Sequence, residues 1–187
     1  MSHHLKRARS VNNFLFMIGI LTSLSLSPCQ AQENENDFTF WISGGLGKAD
    51  FPSGMFAMGY EPAGRRNVIA GRFCVSAEFF QSVEPNLFTH EVAMLYGYRA
   101  GHFRLSAGLA MVSGNVRGKY LYTDPDPLWG SGLTYESIGF KTIGIPAEVR
   151  YMATLKHIGI GLTAFGNLND KRSFAGLNVS LYFGKLK

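Results

Sequence analysis

The chain has 187 residues, 46% of them hydrophobic and 17% charged, with a formal charge of +5. This length suits one domain and leaves no room for two ordinary ones, while the apolar content excludes intrinsic disorder and a coiled coil. The 22 Gly, 15 Phe and 8 Tyr describe an all-β chain in which small side chains make room for backbone and neighbours.

The first element is not part of the fold. Lys6, Arg7 and Arg9 form a basic start, and Phe14 to Leu26 is an apolar run of 13 residues, too short to cross a bilayer as a helix. Cys29-Gln30-Ala31 supplies the small residues of a cleavage site after Ala31. The expected organisation is a signal peptide over 1–31, a short polar mature N-terminus over 32–37 and a barrel domain over 38–187. A second reading makes Cys29 a lipidated cysteine, although Pro28 directly before it departs from the lipoprotein pattern. Removing the leader takes 18 Lys+Arg to 15 against 13 Asp+Glu, a formal charge of +2. Without a strongly basic mature surface, nucleic acid is not an expected partner. Cys74 is then the one mature cysteine, so no intramolecular disulfide forms.

After the leader, alternation with period two recurs, the mark of strands with two different faces. Eight strands are predicted near 38–47, 54–61, 67–80, 87–98, 102–113, 140–152, 157–167 and 173–184. In the third, Ile69, Gly71, Phe73, Val75, Ala77 and Phe79 share a face. In the fifth, Phe103, Leu105, Ala107, Leu109 and Met111 do so, opposite Arg104, Ser106 and Gly108. The last repeats this with Ala175, Leu177, Val179, Leu181 and Phe183. Apart from Lys141 at the outer end of the sixth strand, no Lys, Arg, Asp or Glu falls on an apolar face, and His90 is the other ionisable residue there. Lipid explains such exclusion, since Lys or Arg facing it at the midplane costs roughly 2–4 kcal/mol.

Connection lengths agree with a barrel whose termini share one side of the membrane. The even-numbered connections, among them Arg99–Gly101 and Ala153–Lys156, are short, and the fifth, 114–139, is long. Phe38, Phe40, Tyr60, Tyr96, Tyr98, Phe103, Tyr151 and Phe183 gather toward the short-turn end, as an interfacial girdle requires. Pro146 lacks a ladder donor and predicts a bulge.

The inward face carries Arg72, Glu78, Glu91, Arg104, Glu148 and Arg150, three of each sign. Eight strands enclose a bore that side chains fill, so these charges are expected to pair across it; a narrow polar path is the other reading. Outside, the 114–139 loop sets Tyr120, Tyr122, Trp129 and Tyr135 around Asp124 and Asp126, a candidate contact surface for an extracellular partner. Prolines between the aspartates break the spacing a calcium loop needs.

Enzyme motifs fail. His90-Glu91-Val92-Ala93-Met94 begins like a zinc-protease helix, but Met94 replaces the second ligand and a strand puts His90 and Glu91 on opposite faces. Gly159-x-Gly161-x-x-Ala164 imitates a dinucleotide fingerprint inside a strand. His102 and His157 stand in no catalytic spacing. No metal or cofactor is expected.

The final strand Ser173–Gly184, the approach Phe165-Gly166-Asn167-Leu168-Asn169 and the opening Trp41-Ile42-Ser43-Gly44-Gly45-Leu46-Gly47 resemble small eight-stranded outer-membrane β-barrel proteins of Gram-negative bacteria. The chain departs from their commonest type by ending in Gly184-Lys185-Leu186-Lys187, past its last aromatic, Phe183. The resemblance implies an antiparallel up-and-down transmembrane barrel in the outer membrane, inserted by the barrel-assembly machinery and bathed in outer-membrane lipid. The expected role is non-enzymatic, structural or in surface interaction through external loops, as a monomer. A narrow channel for small solutes and a soluble secreted barrel binding an apolar ligand are the alternatives.

Overall fold

The computed structural model describes residues 37–78, 83–128 and 131–186. The expected signal peptide, Cys29, most of the polar mature start, Phe79 and Trp129 lie outside the described residues. Within them the chain forms nine strands: β1 (Thr39–Lys48), β2 (Pro52–Glu61), β3 (Asn67–Ala77), β4 (Val83–Glu84), β5 (Phe88–Ala100), β6 (Phe103–Thr123), β7 (Leu133–Leu155), β8 (Ile158–Leu168) and β9 (Phe174–Lys185). Eight of these make an antiparallel meander that closes on itself. Ser43 of β1 pairs with Ala57 of β2 on one side and with Tyr182 of β9 on the other. Closure leaves no unpaired edge in the wall, which a bilayer demands because lipid cannot hydrogen-bond a bare backbone.

Alternation sorts the side chains into two environments. Leu46, Met94, Leu109 and Ile143 point outward and are 67–78% exposed, whereas Trp41, Arg72, Glu91, Arg104 and Arg150 point inward and are at most 2% exposed. Such polarity inverts that of a soluble protein and matches a wall immersed in lipid. The aromatic residues of the short-turn end face outward there; Phe38 lies against Tyr60 and Phe103 against Tyr151, with ring centroids 6.1 and 5.2 Å apart. Turns at this end are tight. Gly101, with φ of +60°, opens the β5–β6 turn, and Lys156, with φ of +46°, opens the β7–β8 turn. The first is a left-handed position that glycine adopts without steric cost.

Inside, residue sizes alternate so that bulky groups fit. Gly59 lies opposite Trp41 in the ladder, and a Cβ there would overlap the indole ring. Trp41 and Tyr182 meet edge to face at 5.6 Å.

Two expectations need correction. The 114–139 segment is for the most part not a loop, because β6 continues into it to Thr123 and β7 begins in it at Leu133, as strands of 21 and 23 residues against 10–13 for the other barrel strands. β5 stops pairing with β6 at Thr89–Gly114, and β8 stops pairing with β7 at Leu168–Ile145. Beyond, the two strands hold each other as a hairpin, so Asn115–Thr123 adds about 30 Å of strand beyond the last pair with β5, at about 3.4 Å per residue. The second correction concerns Pro146. Pairs Ala107–Ala147 and Ala110–Gly144 keep one register on either side of it. The missing donor leaves a gap in the ladder without the extra residue of a bulge; irregular register appears instead between Arg117 and Tyr122.

Candidate functional site

Arg72 sits on β3 between Ala57 of β2 and Ala93 of β5. These short neighbours let its guanidinium cross the bore, where it meets Glu91 Oε1 at 2.6 Å and Glu148 Oε2 at 2.9 Å. The other oxygen of Glu148 holds Arg150 at 2.8 Å, and Asn167 donates to Glu91 at 2.6 Å. Arg150 lies 4.4 Å over the Trp41 ring and 5.7 Å from Tyr182, while Arg72 lies 5.3 Å over Phe165. A desolvated cation over an aromatic face is worth about 2 kcal/mol, and no hydrogen bond reaches Nε or Nη1 of the buried Arg150.

A second cluster closes the short-turn end. Glu61 accepts from Arg104 Nε at 2.8 Å and forms an ion pair with Arg99, whose Nε lies 3.3 Å from its other oxygen, and Arg104 also donates to the His102 carbonyl. Signs therefore alternate along both clusters, which offsets the several kcal/mol each ion loses on leaving water. Glu61, Arg99, Asn167, Trp41 and Tyr182 are absent from the set read from sequence. Parity could have found the two charges, since Glu61 follows Ala57 and Gly59 on the inward face and Arg99 follows Leu95 and Gly97.

Glu78 is a further correction. β3 ends at Ala77, so Glu78 stands outside the bore and binds Arg117 of the hairpin at 2.6 Å. Arg117 also donates to the carbonyls of Val83 and Pro85, and Asn115 holds the Asn86 carbonyl and the Phe88 amide, each at 2.8 Å. With β4 pairing in parallel to Leu133 and Thr134 near the tip of β7, the described residues of the β3–β5 connection are fastened to the hairpin at both its base and its tip.

The hairpin places the other sequence-derived residues. Tyr120 and Tyr135 face each other across the strands with centroids 5.8 Å apart, and the Tyr120 hydroxyl lies 2.7 Å from Thr123 Oγ1. Asp124 accepts from the Asp126 amide at 3.0 Å, while its own amide donates to the Gly132 carbonyl at 2.9 Å, so both aspartates shape the tip. A cleft of about 380 Å³ opens between the tip and β4, lined by Val83, Glu84, Tyr122, Asp124, Leu128 and Leu133 among others. Among the described residues no group of acids, histidines and cysteines stands close enough to hold a metal ion.

Among the described histidines, none meets an acid and a nucleophile together. His90 stacks on Phe88 at the outer rim and lies 2.7 Å from Ser113 Oγ. His102 and His157 each reach a backbone carbonyl, of Met152 and Gly184, at 3.2 Å. Cys74 is buried and unoxidised. A small void lined by Cys74, Ser76, Thr89, Glu91 and Arg172 among others measures about 10 Å³, room for at most one water.

No protein-family model and no curated protein matches this sequence. Solved structures do share its fold. A major outer membrane protein from Thermus thermophilus superposes with a TM-score of 0.56 at 9% identity, covering 79% of this chain and 99% of that one. The Yersinia pestis outer membrane protein Ail, in a phospholipid bilayer nanodisc, gives 0.52 at 10% identity, with 79% and 99% covered. Closed topology, an apolar outer face and a charged bore together make this chain an eight-stranded transmembrane β-barrel of the outer-membrane type.

Proposed function

We propose that the barrel is a non-enzymatic, monomeric outer-membrane protein, released from a signal peptide near Ala31, whose working part is the hairpin formed by the ends of β6 and β7. The observation that carries this reading is the hairpin's reach beyond the mouth with Tyr120, Leu121, Tyr122 and Leu128 more than half exposed. Water gives no reason to expose such side chains at the end of a rigid arm, and contact surfaces are enriched in aromatics of this kind. Glu84, Asp124 and Asp126 surround the cleft at the tip, which favours a basic, partly apolar protein surface as the partner.

The test is a barrel in which residues 116–138 are replaced by a short turn. Its heat-dependent mobility on a detergent gel reports the wall; binding of Lys-rich amphipathic peptides, against Glu-rich ones, reports the hairpin. Retained mobility shift with lost binding is the expected result. Equal binding by the shortened barrel would sink the proposal. The channel reading fares worse, because the Arg72 and Glu61 clusters fill the bore; planar-bilayer recordings are expected to show no stepwise conductance.

A further inference from the structure

Above the mouth, the side of the hairpin nearer β8 has a notch. β8 pairs with β7 only as far as Leu168–Ile145, and β4 takes up the same edge of β7 at Leu133 and Thr134. Between them, from Tyr135 to Gly144, that edge has no partner strand among the described residues. Beside it lies a cavity of about 400 Å³, lined by Val116, Ile138, Gly139, Phe140, Lys141 and Lys171. Small-ligand pockets measure roughly 300–1,000 Å³, and β4 and β8 close the notch at its two ends, which suits a small molecule better than an extended chain.

The lining has an apolar floor and a charged side. Val116 and Ile138 are ladder partners in the hairpin, and Phe140, the partner of Gly114, packs on the buried core of the bore. Gly139 leaves the backbone open there, since a Cβ would meet only the Gly114 carbonyl, at 4.0 Å. Lys141 comes from the outer end of β7 and Lys171 from the β8–β9 connection, so two separate elements bring cations to one cavity.

Nearby acids cancel only part of this charge. Asp170 pairs with Lys171 at 3.3 Å and also accepts from the Thr142 hydroxyl. Glu136 extends over Gly118 of β6, away from the open edge, and does not line the cavity. Lys141 meets no carboxylate among the described residues, and residues 79–82 and 129–130 carry no charged side chain. Two lysines against one aspartate leave one positive charge beside the apolar floor.

We infer that this cavity binds a small amphiphile with one anionic head, its apolar arm on Val116, Ile138 and Phe140 and its head between Lys141 and Lys171. The open edge of β7 adds backbone N–H groups, which a carboxylate or phosphate oxygen accepts as charge-assisted hydrogen bonds. A free fatty acid and an anionic membrane lipid offer the same chemistry.

The experiment follows amide NMR shifts of the full mature chain in phosphatidylcholine nanodiscs. Dodecanoate is titrated against dodecyltrimethylammonium, which has an equal chain and the opposite charge; a further set of nanodiscs contains phosphatidic acid and no free amphiphile. Saturable shifts at Gly139 and Phe140 with dodecanoate are expected, at severalfold lower concentration than with the cation. In Lys141→Gln/Lys171→Gln, whose folding is checked by its heat-dependent mobility, the affinity for dodecanoate should fall severalfold. A response to phosphatidic acid in place of dodecanoate would also support the inference and name a membrane lipid as the source. Equal response to both charges in the unaltered protein would overturn it without recourse to any variant. So would shifts confined to lipid-facing positions such as Leu109 and Leu181. Neither lysine lines the cleft at the hairpin tip, so failure of peptide binding there and failure of this site are separate results.

Discussion

The wall around Arg72 and the hairpin beyond Gly114 are built from the same strands, yet different forces hold them. In the wall, each residue has one face in lipid and one in a packed bore, so sequence is constrained on both. In the hairpin, both faces meet water or a docked connection, and the backbone ladder with a few clamps such as Arg117 carries the structure. A strand therefore outlives its hydrophobic pattern where a partner strand accompanies it.

The strongest test of this contrast removes a charge from the bore. Arg72→Ala leaves Glu91 and Glu148 buried with less compensation, and a loss of about 3–5 kcal/mol is expected, read as a lower urea midpoint in vesicles. A midpoint within error of the parent would show that the bore is wet and the network dispensable. Next comes one substitution placed in both regions. Leu109→Arg faces lipid and should cost roughly 2–4 kcal/mol, while Tyr122→Arg in the hairpin should stay within about 0.5 kcal/mol; equal costs would erase the distinction.

A smaller, local effect is expected from Arg117→Ala. It should speed amide hydrogen exchange over 83–88, by an opening free energy of about 1–2 kcal/mol for a partly exposed charged hydrogen bond, without moving the wall's midpoint. If the wall weakens too, the clamp belongs to the barrel. The smallest effect concerns Asp170, an exposed carboxyl in the β8–β9 connection. The Thr142 hydroxyl donates to it and holds its pKa below the usual carboxylate value. A depressed folded pKa adds stability above the unfolded value, and this is lost as pH falls through the folded one. Thr142→Val should return the Asp170 titration, followed by carbon NMR, toward the ordinary range.

The same contrast explains what could be read without coordinates. Phe103 to Met111 and Ala175 to Phe183 were legible because lipid forbids charge on alternate positions. From Gly114 onward that constraint stops. Asn115-Val116-Arg117-Gly118-Lys119 shows no alternation, and only pairing with β7 keeps it extended, so a sequence reading sees a loop. Glu78 misled for a related reason: its parity continues β3, but pairing with β5 ends at Ala77. The bore charges at Arg72, Glu91, Arg104, Glu148 and Arg150 followed from parity. Which of them meet depends on strand stagger around the barrel, which no single strand encodes.

The join between β1 and β9 has a kinetic consequence. Ser43 and Tyr182 are ladder neighbours although nearly the whole barrel sequence separates them, so the last contact to form is also the one of greatest contact order. Until β9 has been delivered, β1 and β8 each present a bare backbone edge that hydrocarbon cannot satisfy. Partial insertion strand by strand is thus penalised at every stage, and entry into the bilayer is expected to be all or none, awaiting the complete chain.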